Sequence, residues 1–84
     1  MLKTVEAEIK NTAERVLSMT LYNAEKEEAA DISEFLAYEI LDLTEIMCPD
    51  FTTHDRVIRE VLNYAGLSDE TKKIVLGLNP LRRG

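Results

Sequence analysis

At 84 residues and 9.6 kDa, with 45% apolar and 31% charged residues, the chain has the composition of one ordinary globular domain and lies well outside the disordered class. A domain of this size buries only about 60 to 65% of the surface its unfolded chain exposes, so a core shared with a second chain is attractive. Apolar runs such as Ile74-Val75-Leu76 fall far short of a membrane span, and the acids in MLKTVEAEIK argue against a signal peptide. The lone Cys48 cannot form an internal disulfide, so the expected address is the cytoplasm.

The net charge of −6 is unevenly distributed. Residues 1–50 hold twelve acids and four bases, a balance of −8, whereas residues 51–84 hold four acids and six bases, a balance of +2. The first half repels polyanions, so any contact with nucleic acid falls to the C-terminal third.

From about Leu2 to Thr20, the residues Leu2, Val5, Ile9, Thr12, Val16 and Met19 recur in steps of three and four. With Ala13 and Leu17 widening the stripe, this spacing predicts a helix over 2–20 that packs lengthwise on another. A second helix is predicted over 23–47, with Ala29, Ile32, Phe35, Leu36, Ile40, Leu43 and Met47 on its apolar face. At about 100° per residue, Ile9 and Val16 point near 170°, and Leu36, Ile40 and Leu43 near 0°. Coiled-coil drift is only about 20° per heptad, so so large a jump in phase requires a break. Asn23 is the expected place, as a cap followed by Glu25, Glu27 and Glu28 in a first turn.

Cys48-Pro49 closes the second helix, because the residue before proline is pushed out of the α region. Thr52 or Thr53 is expected to cap a third helix over 53–65, with Val57, Ile58, Val61, Leu62 and Ala65 inward and Gly66 just past its end. Ser68 then caps a fourth helix over 68–77, with Ile74, Val75 and Leu78 facing the core and a tail over 79–84. The expected fold is all-α: a single domain of three to four helices, built on a long antiparallel hairpin with a short helix-turn-helix-like pair at the end. A second helix spanning about 36 Å would outrun helices half its length, which is the argument for a homodimer.

Three groups of residues invite a functional reading. The run Val61-Leu62-Asn63-Tyr64-Ala65-Gly66-Leu67-Ser68-Asp69-Glu70-Thr71 resembles the turn of a DNA-binding helix-turn-helix, in which a glycine ends one helix and a serine opens the recognition helix. That resemblance implies phosphate contacts from Lys72, Lys73, Arg82 and Arg83. Lys72 departs from the pattern by standing where an apolar anchor belongs, and Asp69 and Glu70 would be the first to meet the DNA. An αα-hairpin uses the same glycine and serine for geometry alone. Acyl carrier proteins and nuclease-colicin immunity proteins share the size and acidity, but the chain has neither the Asp-Ser-Leu nor the Tyr-Tyr-Pro element of those families.

Cys48, Asp50, His54 and Asp55 supply ligand and nucleophile types within eight residues. One cysteine and one histidine fall short of a four-ligand structural site, and a capping loop accounts for all four residues. No metal, cofactor or catalytic residue is therefore expected. The acidic side of the second helix is the main candidate: Asp31, Glu34, Asp42 and Glu45 surround Tyr38 and Leu41, a mixture typical of protein-binding patches. Tyr22, near the break between the first two helices, is the candidate for a second anchor, and packing against the opposing helix explains it equally well. The expected function is a non-enzymatic regulator, adaptor or inhibitor, of a kind common in bacteria and phages, that binds another protein through this face. A small DNA-binding regulator using residues 53–83 is the alternative.

Overall fold

The computed structural model describes residues 2–48 and 51–78. Four helices follow in order, α1 (Leu2–Lys26), α2 (Ile32–Met47), α3 (Phe51–Asn63) and α4 (Asp69–Leu78), and no strand occurs among the described residues. α1 packs against both α2 and α3, while α2 also meets α3 and α4, so α2 is the helix shared by all the others. The expected small helical bundle is the observed fold. Pro49, Asp50 and residues 79–84 lie outside the described residues, as do the side chains of Leu2, Lys3, Phe51 and Thr52.

The hairpin break lies at residues 27–31 rather than at Tyr22-Asn23. Asn23 sits inside α1, where its Nδ2 donates to Glu39 Oε2 of α2 at 2.8 Å. With that side chain engaged across the seam, the cap falls to Asp31 in extended conformation (φ −124, ψ 100). Asp31 Oδ1 accepts from Ser33 N at 3.1 Å and from Glu34 N at 3.3 Å, satisfying two of the donors that every helix start leaves open. Glu25 consequently belongs to the end of α1, and Glu27 and Glu28 to the loop. The long helix is α1, with 25 residues and a length of about 37 Å, whereas α2 has 16.

The buried stripes are also rotated from expectation. On α1 the core residues are Ile9, Ala13, Val16 and Thr20, leaving Val5 and Met19 exposed. On α2 they are Ala37, Ile40 and Thr44, while Ile32 is exposed. The rotation follows from the position of α2, because Ala37 and Thr44 must meet neighbours on more than one side. α3 contributes Val57, Ile58 and Val61, and α4 contributes Val75. Thr20 and Thr44 are buried at no cost in hydrogen bonding: each hydroxyl donates to the carbonyl one turn back, Val16 O at 2.7 Å and Ile40 O at 2.6 Å.

α3 begins at Phe51, before either threonine expected to cap it, and ends at Asn63. The helix stops two residues before the expected end, leaving Ala65 exposed and Gly66 in the turn rather than directly after the helix, where it takes φ +104, a conformation that L side chains rarely adopt. Ser68 opens α4 as expected, its Oγ accepting from Thr71 N at 3.1 Å and lying 2.9 Å from Thr71 Oγ1. The turn is tied to α2 through Ser33 Oγ, 3.2 Å from Ser68 Oγ.

Candidate functional site

The outer side of α2 carries carboxylates without a base: within Ile32–Met47 the charged residues are Glu34, Glu39, Asp42 and Glu45. Lys26 and Arg56 are the nearest bases in sequence on either side, and nine acids lie between them. Glu34, Tyr38, Asp42 and Glu45 follow one another by four, four and three residues, so they form one stripe on the helix. All four are exposed, Tyr38 at 48%. The structure therefore brings together four of the six residues expected at this site.

Asp31 and Leu41 have other roles. Asp31 is exposed, but its carboxylate is committed to the first turn of α2. Leu41 is half-buried and packs against the core, which removes it from the outward patch. α2 is covered on more than one side, and the periodicity of α2 alone could not show where α4 would lie. Ile46, which sequence reasoning passed over, stands 76% exposed next to Glu45. Its signal was present in the sequence: it falls outside the step of three and four that links Leu36, Ile40, Leu43 and Met47.

In the helix-turn-helix-like segment, Lys73 is exposed and Lys72 half-buried, whereas Asp69 and Glu70 are both exposed in the first turn of α4. The leading end of this helix thus carries negative charge, which also suits the helix dipole. Arg82 and Arg83 lie outside the described residues.

Cys48 and His54 are buried, at 5% and 8% exposure, and His54 Nδ1 has no hydrogen-bond partner. A thiol in such surroundings packs as a small apolar group. Asp55 is paired with Arg59 of the next turn at 3.1 Å, and no three metal-ligating side chains converge among the described residues.

A shallow cleft follows the α1–α3 contact. It is lined by Glu6, Ile9 and Lys10 opposite Arg56, Arg59 and Glu60, and continues past Glu14 to Asn63 and Tyr64, so the two helices run in the same direction. Acids and bases alternate along it. The Tyr64 hydroxyl approaches Lys10 O at 3.5 Å, a long hydrogen bond. Partial burial pushes its phenol above the ordinary 10.0, helped by Glu14 as hydrogen-bond acceptor and charge, and then by the charge of Glu60.

The fold and its outward features define a small helical bundle with an anionic, partly apolar helix face. No known protein family, curated protein or solved structure matches the chain. Among the described residues, no helix is long and apolar enough to cross a membrane.

Proposed function

We propose that this protein is a cytoplasmic, non-enzymatic interaction factor, a regulator, adaptor or inhibitor that acts by docking the outer face of α2 on another protein. One observation carries this reading: Tyr38 and Ile46, large and apolar, stand exposed on a helix whose charged residues are all acids. An aromatic anchor within a polar rim is the usual make-up of a protein-binding hot spot. The acids favour a partner with a basic surface, and they would speed encounter and exclude anionic competitors.

The test is capture from lysate with identification by mass spectrometry, followed by affinity measurement with the purified partner. Tyr38→Ala combined with Glu45→Lys is expected to weaken binding at least about tenfold with the fold retained, because both side chains are exposed and lie outside the first turn of α2. Unchanged affinity would remove α2 as the docking face. The protein is also read as a homodimer, since a core of this size gains from being shared.

DNA binding through residues 53–83 is the second reading, supported by the left-handed Gly66 turn and the Ser68 cap that such motifs use. It predicts a salt-dependent affinity for duplex DNA that Lys72→Glu with Lys73→Glu abolishes. A wild-type protein that shows no such affinity ends it.

A further inference from the structure

Among the described helices, α4 is held from one side. α1, α2 and α3 pack pairwise on one another, whereas α4 packs chiefly on α2. Detaching any of the first three breaks at least two helix contacts, and detaching α4 breaks one. Its hold consists of Thr71 and Val75, both fully buried, with Leu67 at 8% exposure just before the helix. The connection from α3 runs through Ala65 and Gly66, which are exposed. An element with few buried apolar contacts and a loose connection lies at the low end of the opening free energies within a fold.

The position of α4 shows what it covers. Ser33 and Ser68 stand beside each other, so α4 starts at the first turn of α2 and, lying along it, runs in the same direction. With the same rise per residue in both helices, Thr71 comes nearly level with Ala37, and Val75 with Leu41. Around α2, at about 100° per residue, Leu41 lies about 160° from Glu39, the residue bonded to α1. Leu41 is therefore on the side that α4 covers, half-buried and packed against the core. At the edge of that cover stand Tyr38 and Glu45, three residues before Leu41 and four after it, both exposed.

We infer that α4 is a releasable cover, which comes off α2 as a unit while α1, α2 and α3 stay packed, and which uncovers Ala37 and Leu41. A helix of 10 residues is too short to persist alone, so α4 unfolds as it leaves and refolds as it returns. The open form is a minor species, and thermal melting remains a single transition. In the open form Leu41 joins Tyr38, so release widens the face of α2 proposed for docking. That consequence rests on the docking reading, and the release itself does not.

Native-state amide exchange of the full chain tests the release. After correction for intrinsic rates, the amides of Lys73, Ile74 and Val75 are expected to exchange at least about tenfold faster than those of Val16, Ile40 and Val61. Ile9→Val, at the contact of α1 with α3, is expected to speed exchange at Val16, Ile40 and Val61 by roughly three- to tenfold and to leave α4 unchanged. α4 amides as slow as the rest, or accelerated equally by Ile9→Val, overturn the cover, because α4 then opens only when the whole chain unfolds. Val75→Ala, which loosens α4 and leaves the exposed side of α2 intact, tests the widened face. It is expected to tighten binding of the purified α2 partner severalfold, since affinity scales with the open fraction. Unchanged or weaker binding overturns the widened face. Absence of any partner ends the docking reading and the widened face with it, while amide exchange alone decides the release.

Discussion

Replacing Asp31 by alanine isolates the residue that decides where the hairpin turns. Its Oδ1 serves two backbone donors at the start of α2, at 3.1 Å from Ser33 N and 3.3 Å from Glu34 N. Loss of such a cap costs about 1 kcal/mol. In a domain of this size, that lowers the melting temperature by about 4–8 °C. The effect is felt globally, because α2 meets every other helix and its first turn also holds Ser33, which touches Ser68. Asp31→Asn keeps an oxygen in place and loses only the charge opposite the helix dipole, so its cost is expected below about half as much. Asn23→Ala serves as the comparison, since it breaks the bond to Glu39 and leaves the cap intact. Thermal unfolding followed by circular dichroism measures the loss, and amide exchange at Ser33 and Glu34 locates it: faster in Asp31→Ala, unchanged in Asn23→Ala. A melting temperature within about 1 °C of wild type, with unchanged exchange at both amides, would refute the assignment of Asp31 as the cap.

Two glycines give a contrast of sign. Gly66→Ala is expected to destabilise by about 1–2 kcal/mol through backbone strain alone, because φ is +104 and a Cβ would meet nothing within 4 Å. Gly77→Ala, in α4 and equally unobstructed, is expected to stabilise by about 0.5 kcal/mol, so chemical denaturation should move the two midpoints in opposite directions. The raised pKa of Tyr64 favours its protonated form in the fold, so its contribution to stability is fully present below 10.0 and is lost as pH rises through the higher folded value. Tyr64→Phe should remove that part of the alkaline loss, measured as a smaller fall in melting temperature between neutral and alkaline pH than the wild type shows.

Features settled by local chemistry were the ones legible in the sequence. Gly66 supplies the expected positive φ between α3 and α4, and Ser68 the expected cap, because a left-handed residue and a hydroxyl cap need only their immediate neighbours. The phase jump between the first two apolar stripes was readable for the same reason, since helical periodicity is a local property. Its location was not: Asn23 and Asp31 are both capable caps, and what separates them is a contact from Asn23 to Glu39, sixteen residues away. Leu41 misled in a similar way, as no property of α2 taken alone shows that packing on the core half-buries it. Glu34, Tyr38, Asp42 and Glu45 could be grouped because they share one helix and one face.

Among the described residues, the largest side chains that are fully buried are Ile40, Ile58, Val16, Val57, Val61, Val75, Thr20, Thr44 and Thr71, all branched at Cβ. In a helix, valine and isoleucine keep essentially one side-chain rotamer and threonine two, so they have little rotational freedom left to surrender on burial. The same stiffness makes them indifferent helix formers when isolated. Order in this interior therefore costs little entropy once the helices are together and gains little beforehand. The expected consequence is a chain that folds as a unit, in which α1 or α3 cut out as a peptide would be largely unstructured.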